Sequence, residues 1–142
     1  MHLAAKLEDP YWLRAMLARG APTEVRNRLG ETPLFPALGP RTQANVQLLL
    51  DAGADIHARD LDKRTLLHEA ADINSLTDVP LLLDLGVDPR AKDDLGYTFQ
   101  KSFFDTPEHL LSDEAVTIRA KVRAWLQARG IAVEEKAARQ GH

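Results

Sequence analysis

The sequence lacks cysteine, long apolar runs and any excess of basic charge, and each absence excludes a class of protein. None of its 142 residues is cysteine, which excludes a disulfide framework and a thiolate metal site. No run of about 18 apolar residues is present, so the sequence predicts no transmembrane segment. The net charge is −3, whereas a nucleic-acid-binding protein would show a basic stripe. We therefore expect no nucleic-acid partner.

The motifs of catalysis and cofactor binding are also missing. The sequence has no nucleophile elbow, no phosphate-binding loop and no dinucleotide fingerprint. Glu108 precedes His109, but no second histidine follows at metal-ligand spacing. The aspartates cluster where turns are expected, and turn formation explains them better than an acid pair in a closed pocket does. We predict no catalytic residue, no metal ligand and no cofactor, and hence no enzyme.

What the sequence does contain is a repeat with a period of 33 residues. A period in this range is typical of stacked supersecondary units, which build an extended binding surface. The residues that recur at this spacing are Gly20, Gly53 and Gly86, then Thr32, Thr65 and Thr98, then Leu17, Leu50 and Leu83, and then Asn27, Asp60 and Asp93.

Helix signals fall at fixed positions of the repeat. Thr32 and Thr65 can each cap a helix by accepting a backbone hydrogen bond, and Pro33 suits the first helical position. Gly53 and Gly86 can end a second helix, where a positive φ is needed. The predicted helices cover residues 2–6, 10–19, 43–52, 65–72, 78–85 and 113–129, with a short helix that breaks at Leu38-Gly39-Pro40 and a further helix start at 105–108. In the second helix, Trp12, Leu13, Met16 and Leu17 are the core candidates.

Three segments of this periodic sequence resemble ankyrin repeats. The strings that carry the resemblance are GETPLFPAL from Gly30, NVQLLLDAGADIHARD from Asn45 and TLLHEAA from Thr65. The resemblance implies an all-α fold: a solenoid of about four helix-turn-helix units with short β-turn or hairpin connections and an atypical C-terminal capping unit. We expect one domain over 1–133, with units at 2–26, 27–59, 60–92 and 93–133, and a charged, disordered tail at 134–142. His2 and His68 occupy the histidine position of the TPLH-like sequence box of ankyrin units. These box histidines are expected to bond the backbone of neighbouring turns.

The first residues fall inside a repeat rather than at its start. His2 aligns with His68 in the 33-residue register, so the turn and helix cap that should precede it are missing. We expect upstream repeats or a targeting segment in the natural protein.

The resemblance also implies a binding surface. In ankyrin-like arrays the turn tips and first helices line a concave face that contacts a protein partner. The matching positions are Arg28, Leu29, Glu31, Leu61, Asp62, Arg64, Leu95 and Tyr97 on the turns, and Phe35, Glu69 and Asp72 on the first helices. Phe35 replaces the box histidine, and it either contacts the partner or lies buried between units.

A narrower resemblance is to bacterial ankyrin proteins paired with secreted toxins, particularly lipase-type effectors of the type VI secretion system. It rests on HLAAKLEDPYWLRAMLARG together with GETPLFPAL and NVQLLLDAGAD. It implies an immunity protein that blocks its toxin by occlusion, in the bacterial periplasm rather than the cytoplasm. The alternatives are a general scaffold or adaptor, and a ligand-binding or catalytic site at Phe103-Phe104 in the C-terminal unit. End capping by those aromatic residues is the simpler interpretation.

Overall fold

The computed structural model describes residues 1–134, and within that range the chain is helical and has no strand. The all-α prediction is therefore confirmed for these residues. The tail predicted for 134–142 lies outside the described residues except for Glu134. The helices are α1 (His2–Lys6), α2 (Tyr11–Ala18), α3 (Leu34–Ala37), α4 (Gln43–Asp51), α5 (Leu66–Asp72), α6 (Asp78–Leu85), α7 (Gln100–Phe103) and α8 (Asp113–Ala128), with a 3₁₀ turn at Glu108–Leu110.

The helices stack in two rows. In the first row α1 packs on α3, α3 on α5, and α5 on α7. In the second row α2 packs on α4, and α6 packs on α8. The two rows also pack on each other, because α2 contacts α1, α4 contacts α3 and α6 contacts α5. The two rows enclose a continuous core in which Leu13, Val46 and Val79, spaced by 33 residues, are all buried. The repeat in the sequence is thus a repeat of core positions.

Trp12 is not part of this core, although the sequence predicted it to be. Its side chain is exposed and meets Tyr11 edge to face, with ring centroids 5.1 Å apart. Leu13 alone in α2 is fully buried. The register explains the difference, since Trp12 aligns with Asn45 and Asp78, which bond the backbone of the unit before their own.

Thr65 starts α5 as the sequence predicted. Its Oγ1 accepts a hydrogen bond from the backbone N–H of His68, and Nδ1 of His68 accepts one from the backbone N–H of Thr65 at 3.1 Å. Such a reciprocal cap satisfies two backbone donors at the helix start. Thr32 holds the same register position but does not cap α3, and its buried Oγ1 has no hydrogen-bond partner within residues 1–134. The prediction of a Thr32 cap is wrong because the N–H of Phe35, the donor in register with that of His68, donates to the Thr32 carbonyl oxygen at 3.1 Å instead.

Thr32→Val and Thr65→Val should therefore change stability in opposite directions. Thr32→Val removes an unpaired buried hydroxyl, and we expect the free energy of unfolding to rise by about 1 kcal/mol. Thr65→Val removes a helix cap, and we expect a loss of about 1–2 kcal/mol. Urea denaturation of both variants checks this. Equal losses in the two variants would show that the Thr32 hydroxyl is paired in solution.

The turns between units are built by side chains and joined by backbone bonds. Oδ1 of Asp60 accepts the backbone N–H groups of Asp62 and Arg64, both at 2.9 Å, as the sequence predicted for this aspartate. Asn27 and Asp93 bond their own turns in the same way. Neighbouring turns are linked where Leu61 N–H donates to the carbonyl of Leu29 at 3.0 Å and Asp94 N–H donates to the carbonyl of Asp62 at 2.9 Å. The three turn tips therefore form one row.

The approach of two turns at Gly30 leaves no room for a side chain. Gly30 has φ +77°, and a Cβ there would lie 2.7 Å from the backbone nitrogen of Leu61. Gly96 has a similar φ of +87° with nothing within 4 Å of its Cβ position.

Gly30→Ala should consequently cost more than Gly96→Ala. Gly96→Ala carries only the strain of the left-handed backbone, about 1 kcal/mol. Gly30→Ala must also displace the Leu61 backbone and weaken its bond to Leu29, so we expect a total of about 2–3 kcal/mol. Thermal denaturation of both variants measures the difference. Equal losses would mean that the turns are not held against each other at this point.

The last elements depart from the period. The helix predicted for 113–129 is present as α8, and Ser112 caps it by accepting a hydrogen bond from the N–H of Ala115 at 3.1 Å. The helix start predicted at 105–108 produces only the 3₁₀ turn at Glu108–Leu110. Buried Arg119 of α8 holds this segment by donating to the carbonyls of Phe103 at 3.3 Å and Thr106 at 2.8 Å.

Candidate protein-binding surface

Two histidines position the turns relative to the helices. Nε2 of His2 lies 2.6 Å from the carbonyl oxygen of Glu31, and Nε2 of His68 lies 2.8 Å from that of Tyr97. Each bond joins the first helix of one unit to the turn of the next, as the sequence predicted for these side chains. The turn tips are therefore held in place rather than free to move as loops.

Two arginines add a second set of links that the sequence reasoning missed. Nη1 of Arg26 donates to the carbonyl of Arg59 at 2.6 Å, and Nη1 of Arg59 donates to that of Lys92 at 3.4 Å. Each bond therefore joins positions 33 residues apart. The 33-residue spacing of Arg26, Arg59 and Lys92 was the signal that could have revealed this ladder.

Apolar side chains project from the row of turn tips into solvent. Leu29, Leu61 and Leu95 are 61%, 72% and 76% exposed. Tyr97 is also exposed, and the ammonium group of Lys101 lies 4.9 Å from its ring centroid. Exposed apolar residues gathered on one surface are a common mark of a protein interaction site. These four are the apolar and aromatic residues among the predicted site positions that are exposed to solvent.

Arg64, Glu69 and Asp72 lie together, and the guanidinium of Arg64 is held by carboxylates of its own chain. The Arg64 guanidinium bonds Asp60 at 3.1 Å, Glu69 at 3.0 Å and Asp72 at 2.6 Å. The Arg64 side chain is only 19% exposed. The Arg64 side chain therefore holds three carboxylates together beside the turn. Its contact with a partner stays a prediction.

The pKa values reflect this clustering. Burial of Arg64 acts to lower its pKa, but hydrogen bonds to Asp72 and Glu69 and the charges of both outweigh that effect and raise it. Burial raises the pKa of Glu69, with smaller contributions from Glu31 and Asp72, and Arg64 opposes the rise only in part. One guanidinium thus faces more carboxylate than it neutralises, and this part of the surface is acidic.

Phe35 is not on the surface. Its ring is completely buried, so the prediction that it contacts a partner is wrong and the alternative, burial between units, is correct. The reason is that α3 packs on both α1 and α5. The other predicted turn positions, Arg28, Glu31 and Asp62, remain accessible to solvent.

The C-terminal aromatic residues are buried beside a small cavity. Phe103 and Phe104 are buried and in edge-to-face contact, with ring centroids 4.9 Å apart. The cavity beside Phe103 measures about 10 Å³, which is room for a single water. A larger groove of about 320 Å³ lies outside it and is lined by polar side chains that include Asp72, Lys101 and Asp105. The buried rings thus act as core residues.

Sequence comparison agrees with this geometry. A family profile described as "Ankyrin repeats (3 copies)" matches residues 1–93, which is more than half of the chain. The chain belongs to the ankyrin-repeat family. Ankyrin repeats are protein-interaction scaffolds, typically without enzymatic activity, and no catalytic family is indicated.

Three curated proteins are similar to parts of this ankyrin-repeat chain. Human B-cell lymphoma 3 protein is 45% identical over 64 residues, covering 42% of the chain and 14% of that protein. Protein PhlB of Serratia liquefaciens is 45% identical over 72 residues, or 50% of the chain and 32% of PhlB. Putative ankyrin repeat protein FPV243 of fowlpox virus is 45% identical over 49 residues, or 34% of the chain and 19% of that protein. The chain thus spans a third or less of each relative.

Within residues 1–134, no group of three or more His, Asp or Glu side chains could hold a metal ion. In the same range no helix has the length and apolar character needed to cross a membrane.

Proposed function

We propose that this ankyrin-repeat chain binds another protein through a contact strip formed by its turn tips and the adjoining surface of α5. The strip consists of Arg28, Leu29, Glu31, Leu61, Asp62, Arg64, Glu69, Asp72, Leu95 and Tyr97. The observation that carries this proposal is the row of exposed leucines on turns that are bonded to one another. A rigid row of apolar side chains loses little conformational entropy on binding, which favours affinity.

The chemistry of the contact strip matches that of protein interfaces. Leucine and tyrosine side chains can enter pockets on the partner, while charged groups surround them. The acidic cluster of Glu69 and Asp72 beside the row favours a partner that is basic at this position.

We further propose that the chain folds as four units and that the fourth closes the array. Nε1 of Trp125 in α8 donates to Asp84 of α6 at 3.0 Å, which holds the last helix over the third unit. The Gln100 side chain donates to the carbonyl of Ala132 at 3.1 Å and accepts the N–H of Glu134 at 2.7 Å. Deleting residues 105–111 should then lower stability and leave partner binding through the contact strip intact. A folded deletion variant that loses a defined activity would contradict capping.

The most specific role we propose is that of an immunity protein for a secreted toxin, with a lipase-type effector of the type VI secretion system as the partner. Its support is the resemblance of the repeat phrases to bacterial ankyrin proteins of that kind. The contact strip would cover the entrance to the toxin's active site, and the complex would form in the periplasm. Co-expression with a toxin encoded beside this chain tests the role. Continued toxicity despite soluble expression of both proteins would refute it.

Affinity capture with a matched pair of variants tests binding itself. The bait is this chain, the source is lysate of its own organism, and captured proteins are identified by mass spectrometry. Leu61→Asp places a charge in the middle of the contact strip, and Leu110→Asp places one at a residue of similar exposure outside it. We expect one stoichiometric protein that Leu61→Asp loses and Leu110→Asp retains. If Leu61→Asp captures the protein as well as the parent chain does, the binding surface is not the contact strip.

A further inference from the structure

The row of turn tips carries a charge pattern that is complementary to itself. The first tip position is occupied by Arg28, Leu61 and Asp94 in successive turns, and the second by Leu29, Asp62 and Leu95. Read along the row, the first position is positive, apolar and then negative. The second position is apolar at both ends. Reversing the row therefore places opposite charges together at both ends and leucine against leucine between them.

The charged groups of the row are available for such a contact. Within residues 1–134, the side chains of Arg28, Asp62, Lys63 and Asp94 make no hydrogen bond and no ion pair, and all four are exposed. The backbone bonds between the turns hold them at fixed spacing. A fixed row of unpaired charges can meet a second fixed row without losing existing interactions.

We propose that two copies of this chain associate through their turn tips, in antiparallel orientation about a two-fold axis that passes the turn of Leu61. In this arrangement Arg28 meets Asp94 of the second copy, and Leu29 meets Leu95 of the second copy. Leu61 meets its own counterpart at the axis. A two-fold interface uses the same patch on both copies, so every end-to-end contact occurs twice.

The middle turn carries both an acidic and a basic side chain, Asp62 and Lys63. Asp62 would face the second copy's Asp62 near the axis, and these like charges need a cation between them. Lys63 provides one, and it does so in a backbone conformation that the neighbouring turns give to glycine: its φ is 64°, against 77° at Gly30 and 87° at Gly96. A strained non-glycine residue that persists at an exposed position is an indication of function.

The contact is small, because only the tips of three turns meet. Stable dimers bury about 1,200–2,000 Å² in total, and this row offers less. We therefore expect a weak dimer whose population depends on concentration and salt. The inference does not rest on the proposed function, since it involves this chain alone. Both contacts would use the same leucines, so a bound partner and a second copy would exclude each other.

Sedimentation equilibrium of the purified chain, from micromolar to millimolar concentration, tests this with a charge-swap series. Arg28→Asp and Asp94→Arg each create two like-charge pairs, and we expect each to weaken the dimer about tenfold or more. The double variant reverses both charges and should restore association to within about threefold of the original. Arg14→Asp, an exposed arginine on α2, is the matched control and should leave the dimer unchanged.

Circular dichroism first establishes that each variant is folded. A parent chain that is monomeric at millimolar concentration overturns the proposal. Association that ignores both single variants, or that the double variant fails to restore, places the contact elsewhere and overturns it as well. If no partner is captured but the charge-swap series behaves as expected, the result counts against the proposed function and not against the dimer.

Discussion

Phe35→Ala should lower the free energy of unfolding by about 3–5 kcal/mol, which is a large share of the stability of a domain of this size. The ring is completely buried in α3, and α3 packs on α1 and α5. Truncation therefore removes buried apolar surface and leaves a cavity that helices on both sides would have to close. Urea denaturation followed by circular dichroism measures the loss.

A matched substitution separates the core role of Phe35 from a role in binding. Phe35→Leu keeps most of the apolar volume and should cost only about 1 kcal/mol, so the variant stays folded. Because the ring does not reach the surface, Phe35→Leu should retain the partner that affinity capture identifies. Loss of that partner in a variant of near-normal stability would contradict the burial of Phe35.

The periodic features of the fold could be predicted from the sequence because they depend on local rules. Gly86 ends a second helix through its own backbone, which has φ 100°, and Asp60 forms its turn through a side-chain oxygen that accepts N–H groups two and four residues ahead. The helix predicted for 78–85 agrees with α6, Asp78–Leu85. The contacts of His2 and His68 recur with the period, so family resemblance was enough to place them.

The errors fall where one position breaks the repeat. A phenylalanine in place of the box histidine fits either a contact residue or a core residue, and only the packing of α3 on its neighbours decides. The Thr32 cap was also predicted wrongly, since the N–H of Phe35 donates to the Thr32 carbonyl oxygen and not to Oγ1. Trp12 was assigned to the core from helical spacing alone, whereas its register position faces away from the unit that follows. Local rules do not contain this information.

The candidate surface was predictable in outline but not in its electrostatics. Exposure of Leu29, Leu61 and Leu95 followed from their place at the turn tips. The bonds of Arg64 to Glu69 and Asp72 did not, because they depend on side-chain directions in α5. What looked like a row of separate contact residues is in part an ion cluster that stabilises the third unit.

Arg64→Ala should therefore destabilise the chain rather than only weaken binding. It would leave the carboxylates of Asp60, Glu69 and Asp72 without their shared cation, and Asp60 is almost completely buried. Removing one partner of a fully buried ion pair costs about 3–5 kcal/mol, and partial exposure of Asp72 reduces this, so we expect about 2–3 kcal/mol at neutral pH. Arg28→Ala, at an exposed arginine without an ion pair in the described range, should change stability by less than about 0.5 kcal/mol.

The pH dependence of this loss identifies its cause. The pKa of Glu69 is already raised by burial, and without Arg64, which lowers it, that pKa rises further. An acid with a raised folded-state pKa favours folding when protonated, and this contribution is lost as the pH rises through the folded-state pKa. The deficit of Arg64→Ala relative to the parent chain should thus shrink as the pH falls toward about 4, near the reference pKa of glutamate, and be largest at neutral pH. Urea denaturation of both proteins across this range measures the deficit. A deficit that is the same at every pH would mean that lost packing of the arginine, and not the unpaired carboxylates, causes the instability.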